Sequence, residues 1–387
     1  MKRGPTGGYQ ISNTSGERVR SFIPAPLPPV PSLDLGGSRA LRLERALVAC
    51  GRLDGISALL PQPDLFLYAY VRREAVLSSQ IEGTQSSLSD LLLFEAEEAP
   101  GVPFDDVREV SNYVRALEYG VQRLRDGFPL SNRLIRDIHR ILLETSRGVE
   151  KQPGEFRKSQ NWIGGTRPGN AHFVPPPPDE VDPCMGSLER FLHAEDDGLA
   201  TLVRAALAHA QFETIHPFLD GNGRTGRLLI PLMLFDGGVL GQPLLYLSLF
   251  FKTHREEYYR QLDAVRMTGD WEEWLDFFLE GVDSTATQAV GAAHRLLELF
   301  ETSEMRAQTL GRSAPNAILI LRKLQTRPVA TLQNLADRSR VSYPTAARAI
   351  KSLQDLGIVK EITGRRRERV FVYREYLDLL SEGADPL

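Results

Sequence analysis

The residues best equipped for chemistry lie together in one segment, residues 216–227. This segment reads His216-Pro217-Phe218-Leu219-Asp220-Gly221-Asn222-Gly223-Arg224-Thr225-Gly226-Arg227. Periodic apolar residues before it predict a helix, and the apolar run after it predicts a second, buried helix. A tight glycine turn between two helices leaves N–H groups free at the start of the second one. Because those groups and the helix dipole both favour negative charge, the turn predicts an anion site, above all for phosphate.

The side chains of this segment fit phosphate chemistry. Asp220 beside a phosphate indicates a divalent cation, because hard cations bridge carboxylate and phosphate oxygens. Arg224 and Arg227 are three residues apart on one helix face and can bind further phosphate oxygens. His216 is then available to accept a proton from an attacking hydroxyl. The residues alone therefore indicate a phosphoanhydride, a metal and a base.

The segment resembles the signature of the Fic family, His-Pro-Phe-x-(Asp/Glu)-Gly-Asn-Gly-Arg-x-x-Arg, at every specified position. The resemblance implies transfer of AMP from ATP to a protein hydroxyl, with release of pyrophosphate. It implies His216 as the base and Asp220 as the ligand of Mg²⁺. The implied nucleotide-binding residues are Gly221, Asn222, Gly223, Arg224, Arg227 and Tyr259. The competing interpretation is an ordinary helical corner with glycines at positive φ and surface arginines.

A segment upstream, Ser78-x-x-x-Glu82-Gly83, looks like the inhibitory motif of Fic proteins. In the family this glutamate pairs with the second arginine of the signature, here Arg227, and blocks the seating of the γ-phosphate. Ser78 and Glu82 are four residues apart and are predicted to share a helix face, with Gly83 as the C-cap. The alternative is an ordinary helix end with an exposed glutamate.

Residues 154–178 combine glycines, short β-prone pieces and a proline stop, which predicts a β-hairpin. This hairpin resembles the Fic flap, which holds a target segment as an added strand. The predicted exposed edge, for target binding, is His172, Phe173 and Val174, and we predict that Trp162, Ile163 and Phe173 also cover the core. Further along, Tyr259 resembles the aromatic wall on the adenine side, with a core aromatic as the alternative. Arg266 replaces an Asn that some members carry, which leaves base selectivity open.

A rival site of another class lies on the helix before the signature. His209, Glu213 and His216 are spaced as a stripe that could bind a metal ion. No His-Glu-x-x-His motif accompanies them, so we predict that His209 packs in the interior rather than binding zinc. His139, beside Ile138 and Ile141, is likewise predicted to be a packed or surface histidine.

The C-terminal region is basic: residues 312–374 contain 14 Lys/Arg and 4 Asp/Glu, a net of +10, which leaves −14 for the remainder of a chain of net charge −4. Two short helices followed by a hairpin with a basic tip resemble a winged helix-turn-helix domain. The DNA-binding residues so predicted are Tyr343, Thr345, Arg348 and Lys351 for the major groove and Arg365, Arg366 and Arg367 for phosphates. A protein-docking winged helix is the alternative, since a fold does not fix its function.

Composition sets the broad class of the protein. A content of 42% hydrophobic and 25% charged residues is ordinary for a soluble globular protein. Two distant cysteines, Cys50 and Cys184, make a disulfide scaffold improbable and favour the cytoplasm. The N-terminus lacks the apolar core of a signal peptide, and no apolar run approaches the ~20 residues that span a bilayer. Residues 1–35, rich in Pro and Gly, are predicted to run extended over the protein's own surface rather than as a polyproline ligand.

Together these patterns predict a mainly α fold, with a Fic-type helical core, a small β-hairpin flap and a C-terminal winged-helix domain. The predicted domains are residues 1–105 with the inhibitory helix, 106–300 as the catalytic domain and 301–387 as the winged helix. The predicted function is a protein adenylyltransferase, autoinhibited by Glu82, that uses ATP and Mg²⁺. The alternatives are a DNA-binding regulator that senses nucleotide, an enzyme that removes AMP, and another nucleotidyl transferase. The implied partner is a protein with a Ser, Thr or Tyr hydroxyl. Self-modification, DNA and a second copy of the chain are partners that the sequence leaves open, and no membrane partner is expected.

Overall fold

The computed structural model describes residues 3–14, 16–59, 63–96, 102–144, 149–194, 198–365 and 368–384. These residues are mostly helical, as predicted. The helices are α1 Ser38–Leu59, α2 Pro63–Ile81, α3 Leu88–Glu95, α4 Phe104–Arg125, α5 Asn132–Leu143, α6 Pro178–Leu192, α7 Thr201–Ile215, α8 Asn222–Asp236, α9 Ser248–Thr253, α10 Arg255–Thr268, α11 Trp271–Gln308, α12 Ala314–Thr326, α13 Leu332–Ser339, α14 Tyr343–Asp355 and α15 Arg374–Ser381. The strands are β1 Gly7–Thr14, β2 Glu17–Pro24, β3 Val329–Thr331, β4 Val359–Glu361 and β5 Val370–Tyr373.

The chain forms two compact units, each built from two separate stretches. The first contains Met1–Gly51 and Asn112–Ala286, and the second contains Arg52–Ser111 and Thr287–Leu387. The three domains expected from the sequence stay a prediction.

The core of the first unit is the pair α7 and α8, which pack against each other, with α6 and α10 also packed on α7. Every residue of α7 from Ala205 to Ile215 is buried, and α8 is buried from Arg224 to Leu234. The apolar run at residues 228–235 predicts that α8 is buried, and the polar His209, Glu213, Arg224 and Arg227 are buried with it. The turn between the two helices is therefore held at both ends by buried structure.

The second unit contains a small antiparallel sheet in the order β3-β5-β4, with α12, α13 and α14 packed on one another. Thr331 caps α13 by accepting from the backbone N–H of Asn334, as the sequence predicts. Tyr373 on β5 donates from its hydroxyl to Ser303 Oγ at 2.6 Å. These elements match the predicted order of helices and hairpin, and the winged-helix assignment itself stays a prediction.

Three elements differ from what the sequence predicts, which is a helix that ends at Gly51, a connecting helix over residues 283–310 separate from the one that begins at Trp271, and an N-terminal segment that runs extended over the surface. Gly51 does not end α1, because a glycine inside a helix costs only about 1 kcal/mol relative to alanine and buried Leu53 follows it. The helix that begins at Trp271 continues through the predicted connecting helix as α11. The N-terminal segment is not merely extended: β1 and β2 pair antiparallel, from Gly7 opposite Pro24 to Thr14 opposite Glu17.

Candidate functional site

His216 ends α7 in a left-handed backbone conformation, with φ 49° and ψ 60°. This conformation costs a residue with a side chain about 1–2 kcal/mol, so it persists only where the surroundings impose it. The backbone N–H of His216 still donates to Phe212 O at 2.9 Å, which closes the last turn of the helix. The imidazole is half-buried at the point where the chain leaves α7. Backbone strain of this kind marks His216 as a functional candidate.

Asn222 locks the turn between α7 and α8 from inside. Its Oδ1 accepts from Phe218 N at 2.8 Å, and its Nδ2 donates to Phe218 O at 2.8 Å. Thr225 Oγ1 donates to Gly221 O at 2.8 Å, and Gly221 adopts a φ of 74°. The turn is thus shaped by its own side chains. Because the amide of Asn222 is engaged in this way, its contribution to an anion site is its N–H at the start of α8.

Charge is distributed unevenly over the turn and the start of α8. The Asp220 side chain is 46% exposed, whereas Arg224 and Arg227 are buried. Asp220 Oδ1 accepts from Gly221 N at 2.6 Å and lies 3.7 Å from Arg224 Nη2. An accessible carboxylate at this place suits Mg²⁺, which proteins hold with one or two carboxylates while substrate phosphates complete the site.

His139 lies beneath the turn as a neutral, fully engaged imidazole. Its ring stacks on Phe218 with centroids 3.6 Å apart. Its Nδ1 accepts from Gly154 N at 2.8 Å, so Nε2 carries the proton and donates to Asp220 O at 2.9 Å. Burial lowers the pKa of His139 to about 4. The prediction of a packed histidine is confirmed, and this residue also supports the turn.

We expect the free energy of unfolding to fall as the pH drops from about 6.5 toward 4. The unfolded chain binds a proton at His139 with an ordinary pKa, whereas the folded pKa is about 4. The unfolded state therefore binds more protons in this window, and stability is lost as the pH falls. Melting temperatures measured across the window for His139→Gln should show a shallower pH dependence than wild type. His294→Gln, at an exposed histidine, is the control that keeps the wild-type dependence. An unchanged slope in His139→Gln would contradict the assignment.

The metal stripe on α7 does not form. His209 Nδ1 donates to Gly226 O at 3.0 Å, and Nε2 accepts from the Tyr258 hydroxyl at 2.9 Å. Burial lowers the pKa of His209 to about 3, so the ring is neutral. No group of three or more His, Cys, Asp or Glu in the described parts of the chain is placed to hold a metal ion. The prediction that His209 packs in the interior is confirmed.

The flap is an isolated antiparallel bridge between Ile163 and Phe173, with backbone bonds of 2.8 and 3.1 Å. His172 is exposed, as predicted, and its Nε2 lies 2.6 Å from Asp263 Oδ2. Phe173 is buried, as predicted for a residue that also covers the core, whereas Val174 is buried, which contradicts the exposed edge predicted for it. The reason is the N-terminal hairpin: Phe22 N donates to Val174 O at 2.9 Å.

The hairpin also contacts the far end of the flap. Gly169 N donates to a carboxylate oxygen of Glu17 at 3.1 Å, and Arg167 forms an ion pair with Glu17. Glu17 and Phe22 on β2 therefore contact the flap at Gly169 and at Val174. Part of the predicted target edge is thus occupied by the chain itself.

The two tyrosines of α10 have different environments. Tyr258 is buried, whereas Tyr259 is 40% exposed, so the core-aromatic alternative applies to Tyr258 and not to Tyr259. Arg266 is buried and bonds to Thr214 Oγ1 at 3.2 Å and to Asp263 Oδ1 at 3.0 Å. Its guanidinium also lies 4.1 Å from the centre of the Phe173 ring. Arg266 thus joins the flap to α7 and α10 and is engaged as a structural bridge.

Residues outside the signature that hold its backbone were missed by the sequence analysis. Asn161 Nδ2 donates to Phe218 O at 2.9 Å and to His216 O at 3.3 Å. Arg157 is 2% exposed and donates from Nε to His216 O at 2.9 Å. Both were read only as parts of a flap. A basic residue between Phe156 and Lys158 gives no local sign of burial, so only the fold reveals these contacts.

In the second unit, α2 ends at Ile81, so Glu82 lies in the following turn and not on the helix face predicted for it. Ser78 is buried, Glu82 is exposed, and Gly83 adopts a φ of 99°, as expected of a C-cap. The inhibitory role of Ser78 and Glu82 stays a prediction.

On α14, Tyr343, Arg348 and Lys351 are exposed and Thr345 is half-buried. Arg365 is exposed as well, and Arg366 and Arg367 lie outside the described residues. Their proposed contacts with DNA stay predictions.

Two family models match the chain in tandem. The model described as "Fic/DOC family N-terminal" matches residues 40–122, and the model described as "Fic/DOC family" matches residues 129–234, which include the whole signature. The chain belongs to the Fic/DOC family.

Curated Fic relatives match this chain over only part of their own length. "Protein adenylyltransferase Fic" of Culex quinquefasciatus is 33% identical over 231 residues, which cover 58% of this chain and 41% of the relative. The protein of the same name from Drosophila yakuba is 30% identical over 208 residues, 53% of this chain and 39% of the relative. The match thus spans about two fifths of the length of these relatives.

Solved Fic structures share the fold at low identity. A Fic family protein from Desulfovibrio desulfuricans aligns with a TM-score of 0.55 and 19% identity, over 91% of this chain and 98% of the other. A Fic domain containing protein from Bacteroides thetaiotaomicron gives 0.54 and 23%, over 65% and 97%. Within the described parts of this Fic protein, no helix has the length and apolar character needed to cross a membrane.

Proposed function

We propose that this Fic protein transfers AMP from ATP to a hydroxyl side chain of a protein. The observation that carries the proposal is that one short turn has the strained His216 at its start and the N-terminus of α8 at its end. Arg224 and Arg227 are buried in the first turns of α8. A nucleotide sensor has no use for a base at this place. The relatives named protein adenylyltransferase support the same reaction.

The start of α8 would hold the phosphates. The first N–H groups of a helix have no partner within the helix, and the dipole adds positive potential there. The backbone at Gly221, Asn222 and Gly223 would receive the anion, while Arg224 and Arg227 would bind the β- and γ-phosphates. Asp220 would hold Mg²⁺, which would supply charge neutralisation to the phosphates. Tyr259, exposed on α10, would stack on the base.

The reaction is a substitution at the α-phosphorus. The target hydroxyl oxygen forms a bond to that phosphorus, and the bond to the bridging oxygen of pyrophosphate breaks. The hydroxyl proton passes to the His216 imidazole, and pyrophosphate leaves. His216 thus acts as a general base, while the start of α8 and its arginines stabilise negative charge.

The partner would be a protein with a Ser, Thr or Tyr hydroxyl, presented beside the flap. The edge near His172 is accessible, whereas the edge at Val174 is partly covered by β2. An extended target segment would therefore either use the part near His172 or displace the hairpin. Self-modification requires the same geometry within or between copies of the chain.

A labelling experiment tests the reaction class. Full-length protein is incubated with cell lysate and with ATP labelled at either the α- or the γ-phosphate. AMP transfer predicts that label from the α-position, and not from the γ-position, stays on protein, with the mass of AMP on one hydroxyl. Retained γ-label would indicate phosphate transfer, and loss of AMP from a pre-modified protein would indicate the reverse reaction. A parallel series with other nucleotides decides base selectivity.

A second candidate function, DNA binding, concerns the C-terminal region, where Tyr343, Arg348 and Lys351 are exposed on α14. The net charge of +10 over residues 312–374 adds attraction for phosphates. We infer that this region binds duplex DNA in addition to the transfer reaction. The exposed side chains of α14 would face the major groove, and Arg365 to Arg367 would contact the backbone.

Duplex binding should weaken steeply with salt. Replacing Arg365, Arg366 and Arg367 by Ala should lower affinity equally on all sequences and reduce the slope of log K against log salt by about 3, since each phosphate contact contributes about 0.9. Fluorescence anisotropy with the full-length chain measures both the affinity and its dependence on salt. Arg374→Ala is the control, because Arg374 is already paired with Asp378 at 3.0 Å. Undetectable binding at low salt would favour a protein-docking role for the region.

A further inference from the structure

The C-terminus of α7 exposes carbonyl groups that need donors from elsewhere. The last C=O groups of a helix have no partner within it, and the left-handed turn at His216 directs the following carbonyls away from the helix as well. Because Ile215 and Pro217 are buried, a carbonyl here that is left without a donor is destabilising. The residue that supplies the donors therefore fixes the conformation of the whole segment.

Arg157 supplies three of these donors. Its Nε donates to His216 O at 2.9 Å, and its Nη2 donates to Ile215 O at 3.4 Å. Its backbone N–H donates to Pro217 O at 2.9 Å. One residue thus bonds to three successive carbonyls, centred on the peptide of the proposed base.

The same guanidinium is held on its other side by the flap. Nη2 donates to Pro176 O at 2.6 Å, and Nη1 donates to Ser159 O at 3.3 Å. Among the described residues, the hydrogen-bond acceptors of the Arg157 side chain are all carbonyl oxygens. Burial lowers the pKa of Arg157 to about 10, which leaves it a cation at neutral pH. A cation bound by carbonyls at a helix C-terminus is favoured by the helix dipole.

We propose that Arg157 is a positioning residue, which holds His216 in its left-handed conformation and ties the signature turn to the base of the flap. The proposal rests on the proposed function only for its kinetic consequence. Lysine cannot replace the fork of N–H groups, because it has one nitrogen where arginine uses three. Nε bonds to His216 O, Nη2 to Ile215 O and Pro176 O, and Nη1 to Ser159 O. With the fork lost, His216 O keeps only the longer bond from Asn161 Nδ2, at 3.3 Å. The peptide can then relax toward a less strained conformation, and the imidazole moves with it.

The variant Arg157→Lys tests this role. A displacement of about 1 Å of a reacting group can lower the rate about 10²-fold, so we expect kcat to fall by that order while the Kd of ATP changes less than about threefold. Hydrogen exchange by mass spectrometry, without nucleotide, should show faster exchange at residues 212–222. Arg157→Gln, which removes the buried charge and keeps an N–H donor, is measured alongside in case the lysine variant does not fold.

The control is Leu188→Ala, which removes buried apolar volume from α6, outside the signature, and so destabilises the first unit. Leu188→Ala should melt earlier yet keep kcat and keep exchange at residues 212–222. The proposal is overturned if Arg157→Lys keeps the wild-type kcat and exchange, or if Leu188→Ala reproduces both changes. If the wild-type protein transfers no nucleotide at all, the proposed function fails. The exchange at residues 212–222 then decides the positioning role by itself.

Discussion

Replacing His216 by alanine is expected to abolish AMP transfer and to leave ATP binding nearly intact. The imidazole acts on the proton of the target, whereas the start of α8 with Arg224 and Arg227 holds the nucleotide. A general base contributes about 10²–10⁴ in rate, so transfer should fall by at least the lower end of that range. Transfer of α-labelled AMP and equilibrium binding of ATP, measured on the same preparation, separate the two effects.

His216→Asn is the matched variant, because the residue at position 216 is left-handed and Asn tolerates that conformation better than Ala does. If both variants lose transfer to the same extent, the loss belongs to the imidazole. If only His216→Ala loses transfer, the backbone of the turn is responsible. Full transfer by both would remove His216 from the role of base.

Replacing Glu82 by glycine is expected to raise transfer. We hypothesise that an ionised Glu82 satisfies Arg227 and takes the space that the γ-phosphate needs, as the family's inhibitory motif implies. Coupling between two sites is typically worth 1–3 kcal/mol, so the gain should be about 5- to 150-fold. Because Glu82 is exposed, loss of its carboxylate should change the melting temperature little. Self-modification and target modification with labelled ATP measure the gain.

Two companion variants sharpen this test. Glu82→Gln keeps the size of the side chain and removes its charge, so activation by Gln as well as Gly identifies the charge as the inhibitor. The combination of Glu82→Gly with His216→Ala must be inactive, since activity that survives there comes from a contaminating transferase. Equal activity of wild type and Glu82→Gly excludes Glu82 from regulation.

The signature turn could be predicted because its determinants are local. Two apolar helices, a glycine with positive φ and an amide that bonds back to Phe218 all lie within one short segment. The helices on either side of it follow from periodicity in the same way. Sequence rules that act over a few residues are therefore enough to predict the turn itself.

The supports of that turn could not be predicted, because they come from distant parts of the chain. Arg157 lies 59 residues from His216, and His139 lies 81 residues from Asp220. Likewise, Val174 is bonded to Phe22, and no residue near the flap indicates this contact. In each case tertiary packing decides whether a polar or apolar side chain is on the surface. Exposure of Val174 was mispredicted for that reason.

The clamp formed by Asn222 has a consequence for chemical ageing. Asn followed by Gly, as at residues 222 and 223, is the pair most prone to deamidation in flexible peptides, because the glycine nitrogen readily attacks the amide carbon. Here both amide atoms of Asn222 are bonded to Phe218, and Gly223 is fixed in the first turn of α8. The fold therefore protects Asn222 from deamidation. Once the first unit unfolds, Asn222 loses this protection. An aspartate formed at position 222 would have no side-chain N–H to donate to Phe218 O. Prolonged heating should thus leave damage that cooling does not reverse, with the ageing concentrated in the turn on which the proposed chemistry depends.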